Sequence, residues 1–159
     1  MKWITHQTGA VLGALALAMP QAAVASAVFG AVFPDVIDQR WSAAFGKRRR
    51  QKVFNRIHRG ASHWFGWWLL LFAGSLCLEL PQLAQELALG FGFGALTHTG
   101  LDLLTPAGVP LTPFSRRGKL KLPICATGHI GEYALLFAMI CAAICYWHDL
   151  IIAVIERLA

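Results

Sequence analysis

The chain alternates long apolar stretches with short polar or basic connections. Four stretches stand out: Thr8–Phe33, Trp64–Leu80, Leu83–Leu104 and Ile130–Ile155. A helix needs about 20 residues, within a range near 17–25, to cross a hydrocarbon core. The last three stretches therefore read as single transmembrane helices. No alternation of apolar and polar positions runs long enough to compete as a strand, and no internal repeat is visible. The pattern predicts an all-α, multipass membrane protein, with residues 1–159 forming one membrane-embedded domain.

The first stretch admits three readings. Lys2, a short apolar run and Ala23-Val24-Ala25 imitate a secretory signal peptide with its small-residue cleavage site. Against removal, Ser26–Phe33 stays apolar instead of opening a polar mature terminus. A second reading is one straight span. A third follows from Pro20, which removes a backbone donor and clashes with the preceding turn. Two short helices, about Thr5–Ala18 and Gln21–Phe33, would then enter and leave on one side. Each would be roughly 20 Å long, too short to cross comfortably.

Composition agrees with a membrane location. Apolar residues make up 57% of the chain and charged residues 14%, against about 45–50% and 25% in soluble domains. This excludes intrinsic disorder and argues against a free cytosolic enzyme. The 14 Lys and Arg outnumber the 8 Asp and Glu, for a net charge of +6. Eight basic residues fall between Arg40 and Arg59, and four more between Arg116 and Lys121. The Asp35–Ser62 and Pro106–Gly128 loops thus hold twelve of the fourteen, which places both on the cytoplasmic side. Basic runs beside apolar segments suit anionic lipid better than nucleic acid, so membrane lipids are expected partners and nucleic acid is not. The four cysteines form no C-x-x-C pair and read as small packing residues.

Ionisable residues at membrane depth are costly and by default suggest function. In His98-Thr99-Gly100-Leu101-Asp102, the spacing of four sets His98 and Asp102 on one helix face. Extended backwards, that stripe meets Gly94 and Gly90, small residues that allow another helix backbone to come close. The pair suits a divalent metal; alone, it reads more readily as a mutually satisfied His–Asp hydrogen bond. In His58-Arg59-Gly60-Ala61-Ser62-His63, two imidazoles five apart would diverge by about 140° on one helix. They converge more easily with His58 in the loop, Gly60 turning the chain and Ser62 capping the next helix. Arg59 would then be a fork-shaped donor suited to a phosphate oxygen. An interfacial cluster facing headgroups fits the same residues equally well.

Asp35 and Asp38 follow an apolar run in Pro34-Asp35-Val36-Ile37-Asp38. Two carboxylates there can ligate a cation or end a helix in solvent, and the pair in isolation reads as the second. Only the hairpin reading returns His6 to the face of Asp35. Glu132 opens the last helix and shares a face with His129. His148 and Asp149 lie toward the far end. Taken together, His6, Asp35, Asp38, His58, His63, His98, Asp102 and Glu132 gather at one edge, which points to a metal site. Walker A, G-x-S-x-G and H-E-x-x-H motifs are absent.

Pro34-Asp35-x-x-Asp38, His58-Arg59-Gly60-x-x-His63 and His98-x-x-x-Asp102-x-x-Thr105-Pro106-x-Gly108 together resemble the YdjM-like inner-membrane proteins. These are described as LexA-regulated, membrane-bound, metal-dependent hydrolases. The resemblance runs from about His6 to Glu132. This chain departs from it at Trp64, where the family usually has Ser, and at His129, where Ser is frequent. The motif order is similar, more distantly, to the zinc-dependent phospholipase C and P1-type nuclease superfamily. That likeness implies metal ligands at His6, Asp35, His58 or His63, His98, Asp102 and Glu132.

The resulting expectation is a bacterial inner-membrane hydrolase, part of the SOS response as the LexA link implies. Its metal would be zinc, with manganese the alternative, and its substrate a phosphoester or lipid-linked phosphoester at the cytoplasmic face. Expected ligands are His6, Asp35, His58, His63, His98, Asp102 and Glu132. Asp38 is expected as a ligand or a base, and Arg59 as the group that stabilises phosphoryl charge. The rival is a non-catalytic interaction or stress-response protein whose polar residues only lock helices together. Metal transport ranks below both, because it needs ionisable residues deep in several spans.

Overall fold

The computed structural model describes residues 1–158, with side chains described except at positions 115–117, 149–151 and 153–158. The fold is mostly helical. Its helices are α1 (Trp3–Ala16), α2 (Gln21–Gly30), α3 (Phe33–Ala43), α4 (Lys47–Ile57), α5 (Phe65–Cys77), α6 (Gln82–Leu103) and α7 (Ile130–Leu158). A 3₁₀ turn covers Ala61–His63, and a two-stranded antiparallel hairpin joins β1 (Val109–Thr112) to β2 (Ser115–Leu120). Asp149 of the sequence reading has its side chain outside the described set.

The first apolar stretch is a helical hairpin. Pro20 stands at the N-cap of α2, and the left-handed Ala18 (φ 50°) completes the reversal. Ala10 and Ala14 of α1 pack on Ala27 and Ala31, so alanine methyls let the two arms approach closely. His6 is thereby returned to the end of the molecule that carries Asp35.

The centre of the fold is the seam between α2 and α6. A methyl group added at Gly90 would lie 2.0 Å from the Ala23 carbonyl oxygen, and one at Gly94 would lie 2.1 Å from that of Ala27. Only glycine permits this approach. A Cβ at Gly92, on the other side of α6, would come within 2.9 Å of the Phe72 backbone nitrogen in α5. Ser26 fastens the seam by donating from Oγ to the Leu87 carbonyl at 2.7 Å.

The burial pattern inverts that of a soluble domain. The largest fully buried side chains are led by His6, His63, His98 and Glu132, and the buried apolar residues are mainly alanines. Large apolar groups face outward instead: Leu69, Leu70, Leu76, Leu83, Phe137 and Ile144 are all exposed.

Two expectations need correction. All-α is too strict, because the Pro106–Gly128 loop contains the β-hairpin. Gly108 (φ 61°) turns the chain into it, and a Cβ there would meet the Leu120 carbonyl at 2.5 Å. Second, the Asp35–Ser62 segment is largely two helices; Pro34 opens α3 at its first turn, and the Lys, Arg and Gln of α4 are good helix formers. Of the three expected spans, among the described residues only α7, over Ile130–His148 (19 residues), is by itself long and apolar enough to cross a membrane. α2 and α3 together also qualify, bent by 40°. α5 has 13 residues, about 20 Å at 1.5 Å per residue. α6 has 22, but its Gly, Gln, Thr and His residues dilute it.

Candidate metal centre

His98 is set by the seam. One turn beyond Gly94, its Nδ1 lies 2.6 Å from the Ala31 carbonyl oxygen. A carbonyl can only accept, so Nδ1 carries the proton and Nε2 presents a lone pair. His63, fully buried in the 3₁₀ turn, is set by its neighbour. Ser62 donates from Oγ to Asp38 Oδ1 at 2.7 Å and lies 2.9 Å from His63 Nδ1. With the hydroxyl proton on Asp38, His63 Nδ1 must donate, and its Nε2 also presents a lone pair.

These two lone pairs face each other. His63 Nε2 and His98 Nε2 are 3.2 Å apart, and Asp35 Oδ1 lies 3.2 Å from the first and 3.7 Å from the second. With both rings neutral, these three acceptors have no proton between them and repel. A tetrahedral zinc with arms of about 2.0–2.1 Å holds its donor atoms about 3.4 Å apart, the size of this triangle.

Each carboxylate is anchored through one oxygen. Asp35 Oδ2 accepts from Trp3 Nε1 at 2.9 Å, which leaves Oδ1 for His63, His98 and His58, the last at 3.6 Å. Asp102 Oδ1 accepts from the Met1 amine at 2.9 Å and from Arg59 Nη2 at 3.0 Å. Its Oδ2 lies 3.6 Å from His98 Nε2 and 3.7 Å from His63 Nε2. Such anchoring fixes a ligand's orientation and is typical of groups behind metal ligands.

His6 adds a further unsatisfied donor beside this triangle. Its ring is fully buried and stacked on His98 at 3.9 Å, yet neither nitrogen has a hydrogen-bond partner. Nε2 stands 3.5 Å from Asp102 Oδ1. Burying an unpartnered imidazole costs a few kcal/mol, about 1–3, unless something binds it. Among the described residues, the donor atoms fall into three groups that could each hold an ion: His6–His98–Asp102, Asp35–His63–His98 and Asp38–His58–His63. They share His98 and His63. In the third, His63 Nδ1 lies 3.5 Å from Asp38 Oδ2, so Asp38 reads there as the carboxylate that orients His63. His58 Nδ1 lies 3.3 Å from Asp38 Oδ2.

Three anticipated residues sit differently. Glu132 is buried, but belongs to none of the three groups. Its Oε1 accepts from Thr5 Oγ1 at 2.9 Å and from the Lys2 amide, and its Oε2 from the Gly128 amide at 2.6 Å. It ties the start of α7 to the N-terminal segment. Ser62 does not cap α5, whose N-cap position is Trp64; its hydroxyl serves Asp38 instead. The turn between the two histidines is carried by Arg59, at φ 57°, and not by a left-handed Gly60. Arg59 is buried, with Nη1 donating to Thr105 Oγ1. His129 is exposed. Burial pushes the Cys125 thiol up, with the Glu132 charge acting in the same direction, and Cys125 belongs to none of these groups.

Trp3, Thr5, Thr105 and the Ala31 carbonyl were not foreseen as supports from residue chemistry. Only Thr105 carried a signal, within Thr105-Pro106-x-Gly108.

Residues 1–156 match the YdjM inner membrane protein family. The chain belongs to that family. No curated protein and no solved structure matches it. For this YdjM member the family and the geometry together establish an inner-membrane protein with one helix able to span, whose buried His and Asp groups could hold a metal ion.

Proposed function

We propose that this YdjM protein is a metal-dependent hydrolase acting on a phosphoester, lipid-linked in its natural form, at the cytoplasmic face of the inner membrane. The observation that carries the reading is the convergence of proton-free acceptors from His63, His98 and Asp35, beside an unpartnered His6. Imidazole and carboxylate donors suit zinc, with manganese second, better than calcium. Asp35, His63 and His98 are the central ligands, and His6 and Asp102 extend the set. A bound divalent ion would lower the pKa of water and polarise a phosphoryl oxygen.

The chain's own residues do the rest. Asp38 holds the His63 proton at Nδ1 and is the candidate base. Arg59 is the candidate for developing phosphoryl charge, placed within one bond of Asp102. Its left-handed backbone is a strained conformation of the kind that collects at working sites. Membrane placement of α5, α6 and α7 is supported by their outward leucines and phenylalanines. Trp64 Nε1 donates to the Leu111 carbonyl at 3.0 Å, so the two basic segments meet at one end, as positive-inside orientation requires.

The test is elemental analysis of protein purified without chelator, with hydrolysis of bis(p-nitrophenyl) phosphate measured before and after metal removal. At least one zinc or manganese per chain, with activity lost on chelation and restored on metal return, is expected. Metal-free protein of unchanged thermal stability and no turnover would sink the proposal and favour the interaction-protein reading.

A further inference from the structure

Beside the metal centre lies a groove of about 380 Å³, within the usual size of small-ligand sites. Its walls are apolar: Trp41 of α3, Ile57 of α4 and Trp67 and Trp68 of α5. Its floor is polar and consists of Asp38 and Ser62, the hydrogen-bonded pair that fixes His63. The groove is therefore continuous with the centre through a single residue. Trp41 (63% exposed) and Trp67 (42%) open it to the surroundings at the end where the basic segments meet. α4 reaches the groove at Ile57 and carries Lys47, Arg48, Arg49, Arg50, Lys52 and Arg56, with no acidic residue and no buried residue.

An apolar trough at the end of a cationic helix describes one kind of occupant. We propose that the groove receives one acyl chain of an anionic phospholipid from the surrounding bilayer and so brings that lipid's phosphoester to the His63 edge of the metal centre. Tryptophans at a membrane interface suit this role, since their rings sit at headgroup level. Lys and Arg near an anionic leaflet supply the attraction for the head. The chain site is a matter of binding, while its use in hydrolysis rests on the function proposed above.

The experiment uses the full chain in phosphatidylcholine nanodiscs doped with phosphatidylglycerol bearing a diazirine on one acyl chain. Crosslinks are mapped by peptide mass spectrometry. Labelling of the α3, α4 and α5 peptides that line the groove should exceed that from the equivalent phosphatidylcholine probe by about tenfold, the scale that one or two basic residues near a surface confer. Two filled-groove variants, Ala61→Trp and Ile57→Trp, should each abolish this labelling. Phe137 and Ile144 on the exposed face of α7 should label as before, which reports a folded protein. Equal labelling by both probes, or labelling that survives whichever variant keeps the α7 signal, overturns the proposal; that includes a free amphiphile or a second copy as the occupant. Turnover of bis(p-nitrophenyl) phosphate, measured in parallel, separates the two ideas. Groove labelling without turnover defeats only the hydrolase reading, and turnover without selective labelling defeats only the chain site.

Discussion

In the first half of α6, Gly90 and Gly94 press against the carbonyls of Ala23 and Ala27. One turn further on, the same face of α6 meets the next carbonyl of the same row, and there His98 donates a hydrogen bond to Ala31. The two helices run parallel in a register of four, 23 with 90, 27 with 94 and 31 with 98. In the glycine half, a carbonyl row demands the absence of a side chain. In the histidine half it selects a tautomer. One backbone feature thus closes the bundle and aims a ligand, and the halves differ only in which residue faces the row. Packing in the glycine half gains dispersion contacts and few desolvation costs. The other half buries imidazoles and carboxylates, which is expensive unless they are paired or bind a cation.

The largest expected effect breaks the glycine half. Gly94→Val places a Cβ about 2 Å from a backbone oxygen that cannot rotate away. Overpacking typically costs about 1–3 kcal/mol, and a backbone obstacle belongs at or beyond the top of that range. Folded yield and thermal midpoint in detergent should collapse, with metal content following; a wild-type midpoint would mean the seam is not as close as described. His98→Ala should behave otherwise. It leaves the glycine seam intact and the Ala31 carbonyl unpaired, at about 1–3 kcal/mol. The protein should remain folded in the membrane while elemental analysis shows metal lost. Retention of metal would remove His98 from the centre.

Much of this division was legible beforehand because it lies on one helix. Gly90, Gly94, His98 and Asp102 share a face by spacing alone, and the structure keeps them together. Pro20 marked a break, but whether the arms folded back was decided by Ala10, Ala14 and Ala27. A wholly apolar helix has no polar face to betray which side packs. The β-hairpin was missed because Val109–Leu120 lacks alternation and owes its pairing to the Gly108 turn. Glu132 was expected at the metal because its charge was visible, whereas the Thr5, Lys2 and Gly128 donors that engage it come from distant segments. Proton assignments on His63 and His98 depend on Ser62 and Ala31 across the fold, and no local spacing contains them.

A smaller effect sharpens the polar half. Trp3→Phe keeps the ring and deletes the Nε1 donor that anchors Asp35 Oδ2. Loss of a group behind a metal ligand usually costs 10–100-fold in metal affinity, so about that loss is expected in competition with a chromophoric chelator. The thermal midpoint of the metal-free protein should change little by comparison. Unaltered affinity would show that Asp35 is held without Trp3, or that it does not bind the ion.

The smallest effect has the opposite sign. Gly100 lies on α6 two residues past His98, yet a Cβ there would meet nothing within 4 Å. Its face looks away from the carbonyl row, so the reason for glycine at 90 and 94 does not apply. What remains is the helical cost of glycine, about 0.8–1.0 kcal/mol relative to alanine in a helix interior and less toward a helix end. Gly100→Ala should therefore raise the thermal midpoint slightly and leave metal content unchanged. A destabilised Gly100→Ala would mean that a neighbour approaches this position more closely than described, and that the face of α6 at Gly100 is packed like those at Gly92 and Gly94.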